Sequence, residues 1–234
     1  MEAVVRQFRA RGACVTAAWL VTAAARLPRT LTNAHERLEA LWQRFLRLPL
    51  RDTSEAALPA DALYAHRVML KSCIVEVVAV DEIGYAHPRL LDALAGPVLP
   101  GGVQQSAQLD DENEDDEGDT AADDRARRLP RGTLKLTLTD GHGMLFGLEK
   151  VRTPALDLRM PPGSKIWLSE VEIRRGVIYL KPDTVRVLRC GRNAAQLAAM
   201  DGMPLDPNEQ ELLSMEELEL RLQRQLDRIS SSRT

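Results

Sequence analysis

"TLKLTLTDGHGMLFGLEKV", residues 133–151, is the stretch whose reading decides the fold. Leu134, Leu136 and Leu138 alternate with Lys135, Thr137 and Thr139. An extended chain with that two-residue period has one dry side and one wet side. "DGHG", residues 140–143, supplies residue types that tolerate positive φ in a tight turn. The return run alternates Met144, Phe146 and Leu148. A β-hairpin is expected here, with Phe146 suited to the core.

Working outward, "CIVEVVAVDEIG" (73–84) is apolar and β-branched, and "PPGSKIWLSEVEI" (161–173) turns and then enters a strand. "RRGVIYLKPDTVRVLRC" (174–190) adds another, with Gly176 as a tight link, Pro182 as a bend or edge, and Tyr179 on a core-compatible alternation. That makes five strand signals with a long interruption after the first. Five are too few for an immunoglobulin-type sandwich and suit an OB-type barrel, whose closure removes exposed sheet edges.

Helical patterns flank the strands. In "TNAHERLEALWQRFLRL" (32–48), Asn33 and Glu36 form a capping pair, and Leu38, Leu41, Trp42, Phe45 and Leu46 share one face. Segments 2–11 and 15–26, broken by Gly12 and Pro28, supply two shorter helices. Arg6, Arg9 and Arg11 before "ACVTAAWLVTAAA" also fit a targeting peptide, and both readings stand at this point. Near the C-terminus, Ser214 and Glu217 form a capping box ahead of Leu218, Leu222, Leu226 and Ile229. That stripe serves either core packing or a partner. The fold expected is α+β: a three-helix N-terminal domain (1–60) packed on an OB-fold barrel (61–191) with an insertion at 96–131, then a helical tail (192–234).

The interruption has its own chemistry. Residues 110–124 hold 10 of the 34 acidic side chains and none of the 31 basic ones. The remaining 219 residues therefore carry 31 basic against 24 acidic groups, a net +7 hidden beneath the formal −3. Such a block buries no apolar surface and cannot offset an ordering entropy of roughly 1–2 kcal/mol per residue, so a disordered loop is expected.

Catalytic and metal motifs are mostly missing. No apolar run approaches the ~18–20 residues that span a bilayer. Cys14, Cys73 and Cys190 are far apart and the four histidines are scattered, so no disulfide framework and no metal is expected. "GSK" at 163–165 lacks the earlier glycine of a phosphate loop, because Leu158 stands there. Asn113, Asp115, Glu117, Gly118 and Asp124 fall near calcium-loop spacing without its first Asp and last Glu. Binding single strands needs aromatic platforms and a basic groove. Aromatics are only 4% of the chain, and several of them, Trp19, Trp42 and Phe45 included, lie in the helical part.

Taken in order, "LTLTDGHGMLFGLEKV…PPGSKIWLSEVEIRRGVIYLKPDTVRVL", preceded by "EALWQRFLRLPLRDT" and "IVEVVAVDEIG", resembles the RecQ-mediated genome instability protein 1 family over residues 30–191. The resemblance implies a non-catalytic nuclear subunit without cofactors that binds topoisomerase III and a RecQ-type helicase. It implies a role in decatenation and double Holliday junction dissolution, with DNA met mainly through the complex. The family's insertion after the first barrel strand reaches into the topoisomerase gate, and here it coincides with the acidic run. Partner-binding candidates are Asp110, Asp111, Glu112, Glu114, Asp115 and Asp116, the apolar flank Val98, Leu99 and Val103, and the basic exit Arg125, Arg127 and Arg128. To these the resemblance adds Pro161, Pro162, Gly163 and Lys165, the lysine projecting from its turn on the partner-facing side. Longer members carry a second barrel, and this chain looks like the short form. A single-strand-binding OB protein is the rival reading.

Overall fold

The computed structural model describes residues 2–95, 129–192 and 212–231. The chain divides into two compact units, residues 1–82 with 133–212 and residues 83–132 with 213–234.

In the first unit six strands form one sheet: β1 (Val68–Glu82), β2 (Leu134–Thr139), β3 (Met144–Glu149), β4 (Lys165–Arg174), β5 (Val177–Leu180) and β6 (Val185–Arg189). Their order is β1-β2-β3-β5-β4-β6, and β1 also pairs with β4, which closes the barrel. β5 and β6 are two halves of one return strand, both antiparallel to β4 and separated at residues 181–184, where Pro182 sits. Counted that way the barrel has the five strands expected. The fifteen-residue β1 makes closure possible because its first part pairs with β4 and its second with β2, around a bulge between Val77 and Ala79.

The hairpin at 133–151 forms, but β3 faces the opposite way from its expected alternation. Leu136 pairs with Gly147 and Leu138 with Leu145, so the leucines of β2 take Leu145 and Gly147 into the barrel. Met144 and Phe146 are left outside, 60% and 46% exposed, while Leu148 and Tyr179 are half-buried. Cross-strand pairing sets which face is inside, whatever set of residues is the more apolar. Gly147 makes this frame possible: a Cβ there would lie 2.9 Å from Leu180 Cδ1 and 3.0 Å from Leu138 Cδ1.

Gly141 carries the hairpin turn at φ +95°, and a Cβ on it would stand 2.5 Å from the backbone nitrogen of Arg51. Gly141→Ala is therefore expected to lose about 1–3 kcal/mol, read as a lower urea midpoint with unchanged m-value. The β4–β5 link is the two-residue turn Arg175–Gly176, both at positive φ, as hairpins of this length require.

Helices α1 (Glu2–Ala10), α2 (Ala17–Ala25), α3 (Ala34–Arg47) and the short α4 (Leu50–Thr53) belong to the same compact unit as the barrel. Thr16 caps α2 through Trp19 N at 3.3 Å, and Asn33 caps α3 through His35 N at 2.9 Å. Phe8, Leu20, Leu41, Trp42 and Phe45 make a core that Ile74 of β1 joins. Phe8 meets Trp42 and Phe45 edge-on at 5.4 and 5.7 Å. Of the N-terminal apolar run, Ala17–Ala25 is helix, and its Leu20 and Ala23 are buried in this core.

The second unit contains α5 (His87–Ala95) and α6 (Met215–Ser231). The Ser214–Glu217 box closes in both directions, at 3.0 and 3.2 Å. Leu218 and Leu222 are buried, as are Leu90 and Leu94 of α5, and His87 Nε2 donates to Gln225 Oε1 at 3.0 Å. These leucines of the C-terminal stripe serve core packing against α5.

Candidate interaction surface

The insertion leaves and rejoins the barrel at one point. Glu82, at the end of β1, pairs with Leu134 at the start of β2, and its Oε1 accepts from Thr133 N at 3.0 Å. A long segment between residues 82 and 133 therefore costs the barrel no strand pairing. Val98, Leu99, Val103, Asp110, Asp111, Glu112, Glu114, Asp115, Asp116, Arg125, Arg127 and Arg128 lie outside the described residues.

The Pro-Pro-Gly turn is placed differently from its expectation. Lys165 does not project outward; its side chain is wholly buried, with Nζ 2.8 Å from Glu76 Oε2 and 3.1 Å from the Gly163 carbonyl. Glu76 and Lys165 are cross-strand partners on β1 and β4, and the same Glu76 oxygen accepts from Leu50 N at 2.9 Å. That carboxylate fastens the start of α4 to the barrel. Burial pulls the Lys165 pKa down and the Glu76 charge pulls part of it back. Around them Pro161 and Gly163 are buried and Pro162 is half-buried. Gly163 N donates to Val77 O, and Val77 N to Ser164 O, both at 2.8 Å. Ser164 Oγ donates to the Pro161 carbonyl at 2.8 Å and accepts from Gly191 N at 3.1 Å. A turn knitted in this way is a joint between helices and barrel, and the Lys165 ammonium has no exposed surface to offer a partner.

A second buried carboxylate repeats the device. Asp140 accepts from Ala57 N and Leu58 N through Oδ2 at 2.7 and 2.8 Å, and from His142 N and Gly143 N through Oδ1 at 2.9 and 2.7 Å. Burial alone would raise its pKa, but the four N–H donors outweigh that and hold it below the ordinary Asp value. His142 Nε2 donates to the Ser54 carbonyl at 2.8 Å, so the hairpin tip is bound to the chain after α4. Glu149 likewise accepts from Leu134 N and Thr153 N at 3.1 and 2.7 Å.

Burial pushes the Cys73 thiol up to about 12 and raises that of Cys14, which keeps both as poor nucleophiles. Among the described residues no cluster of His, Cys, Asp and Glu is arranged for a metal, and no helix is long and apolar enough to cross a membrane. Arg11, Trp42, Trp167 and Arg186 line a cleft between helices and barrel, which the sequence did not connect. Arg11 lies 4.9 Å from the Trp42 ring centroid and is ion-paired with Glu39, whose pKa this hydrogen bond lowers. The Trp167 indole N–H is satisfied by Ser72 Oγ at 2.8 Å.

The outer face of β3 is different. β3 is apolar on both faces, and the outer face carries Met144 and Phe146 into solvent. The signal was present in "MLFGL", an uninterrupted apolar run where β2 alternates cleanly.

A closed five-stranded barrel with a helical layer and an excursion between its first two strands defines an OB-fold module. The family model described as "RMI1, N-terminal OB-fold domain" matches residues 51–198. The chain belongs to the RecQ-mediated genome instability protein 1 family. It is 30% identical over 150 residues to the protein of that name from Schizosaccharomyces pombe, covering 58% of this chain and 63% of the relative. With the Danio rerio relative it shares 27% identity over 179 residues, 75% of this chain and 31% of the other. A Mus musculus relative is 43% identical over a shorter 60 residues, 25% of this chain and 10% of that one. The chain thus matches less than two thirds of these relatives' length.

Proposed function

We propose that this chain is a non-catalytic nuclear subunit that binds topoisomerase III and a RecQ-type helicase and stimulates decatenation and double Holliday junction dissolution. The observation that carries the reading is the meeting of Glu82 and Thr133 at the mouth of the insertion, in a barrel of this family. A block of ten carboxylates is tethered there while the β1–β2 pairing is kept to its end. A topoisomerase that passes one strand through a break in another works in a basic channel, and a tethered acidic segment competes for that channel at high effective concentration, then yields to DNA. The segment in this way modulates the gate while the barrel holds on.

The decisive experiment replaces residues 109–124 by a short Gly-Ser link and measures decatenation by topoisomerase III with and without the chain. Stimulation is expected to fall to a small fraction of its wild-type extent, with binding kept. Undiminished stimulation removes the insertion from the mechanism, and failure of the wild-type chain to co-purify with the topoisomerase removes the reading altogether. Single-strand binding has less support. The Phe146 ring is covered by the Lys135 ammonium at 4.4 Å, and Phe8, Trp42 and Phe45 are spent in the helical core. A steep salt dependence of binding to an oligonucleotide would restore it.

A further inference from the structure

The helical layer meets the barrel over Trp167 and Leu188, which pack against the helical core. Gly12 sits on the edge of that indole at φ +83°, where a Cβ would lie 2.7 Å from both Trp167 Nε1 and Ser72 Oγ. The indole N–H already donates to Ser72 Oγ at 2.8 Å, so the half-buried ring offers the space beside it carbon surface and no donor. That space is the cleft lined by Ala10, Arg11, Trp42, Trp167, Arg186 and Leu188, with a volume of about 420 Å³. It falls at the small end of the roughly 300–1,000 Å³ in which pockets hold ligands.

The two cations of the cleft differ. Arg11 lies over the Trp42 ring and is neutralised by its ion pair with Glu39. Arg186 stands opposite Trp167 across β4 and β6, is exposed, and has no ion pair among the described residues. The other carboxylates of these elements lie further off. Glu36 is six residues from Trp42, roughly 9 Å along α3. Glu170 and Asp183 are three residues from Trp167 and Arg186, roughly 10 Å along the strands. An apolar cavity with one uncompensated cation at its rim selects an apolar group joined to a single negative charge. Indole walls favour an aromatic group, packed offset or edge-on, and a polypeptide carries such a group and a carboxylate on neighbouring residues. Nucleic acid fits less well, because stacking needs an open aromatic face and that of Trp42 is covered by a guanidinium.

We propose that this cleft is a binding site for a short peptide segment that seats an aromatic side chain between Trp42 and Trp167 and sets a neighbouring carboxylate on Arg186. The inference goes beyond the topoisomerase reading and does not depend on it. The site is built where two parts of the fold meet, since α1 and α3 supply one wall and β4 and β6 the other.

The test titrates acetyl-Phe-Glu-amide into the full chain and follows the indole N–H signals by nitrogen-15 NMR, with that of Trp167 assigned through Trp167→Phe. A saturable shift of the Trp167 signal is expected. Acetyl-Phe-Gln-amide, which lacks the charge, is expected to bind about fivefold more weakly, and so is the charged probe to Arg186→Ala protein, with a difference that shrinks as salt rises. Ala10→Leu fills the cleft from the exposed end of α1 and should abolish the shift. Both substituted positions are exposed, so thermal midpoints should match the wild type. Should Ala10→Leu unfold, the comparison of the two probes on wild-type and Arg186→Ala protein decides. No saturable shift, equal binding of the two probes, or undiminished binding by Arg186→Ala overturns the site. It is also overturned if adenosine monophosphate or a single-stranded oligonucleotide moves the Trp167 signal at lower concentration than the peptide does.

Discussion

Lys165→Met is expected to destabilise the protein by about 3–5 kcal/mol, the range for removing one partner of a buried ion pair. An exposed turn lysine would give a change within ~0.5 kcal/mol. The difference follows from geometry: Nζ is wholly buried, 2.8 Å from a Glu76 oxygen that also holds Leu50 N. The urea midpoint is the measurement, and a shift indistinguishable from zero would contradict the buried pair. A second substitution checks the cause. Glu76→Gln keeps a carbonyl acceptor for Leu50 N and removes the charge that Lys165 no longer faces, so adding it to Lys165→Met should recover about 1–3 kcal/mol by the arithmetic of a double-mutant cycle. Loss of partner binding in a Lys165 variant is then read as a loosened joint between α4 and the barrel, because the ammonium has no exposed surface.

Asp140→Ala is expected to cost about 2–4 kcal/mol, since four backbone donors lose an ionised acceptor at once. The effect has a pH signature. The folded pKa lies below the ordinary value, so the unfolded state binds the proton more readily. Its contribution is complete above the unfolded value of about 3.9 and is lost as pH falls through the folded pKa. Asp140→Asn, which cannot titrate, should therefore lie well below the wild type in stability at pH 7 and converge with it below about pH 3.9. Parallel curves at all pH values would show that the Asp140 charge does not carry the effect.

The elements that were legible share a physical basis. The alternation of Leu134, Leu136 and Leu138, the turn at residues 140–143, the apolar face of 38–46 and the Ser214–Glu217 box are all local patterns, and each forms where it was read. The return strand broken near Pro182 was marked by the residue itself, which has no N–H for a ladder. What misled was direction. Met144 and Phe146 looked like core because they are apolar, and Lys165 looked like surface because it is charged and follows a turn. Both are inverted by pairing: Leu138 opposite Leu145 turns Phe146 outward, and Glu76 opposite Lys165 turns the ammonium inward. The exposed apolar strip on β3 was hidden for the same reason, since its run reads equally well as a strand buried on both faces.

By itself the sequence determined the three N-terminal helices, the C-terminal helix and the strands, though not α4 or α5, where the chain reverses, and that a charge-dense stretch interrupts the barrel after its first strand. Those are properties of neighbouring residues: spacing, caps, turn types and local charge. Only the tertiary structure decided which side of β3 meets solvent, that Glu76 and Asp140 bind the helical layer and the hairpin into one unit, and that the insertion opens and closes at Glu82 and Thr133. Each of these depends on a register or contact between residues far apart in the chain, and with a side-chain period of two, a shift of one residue turns every side chain to the other face.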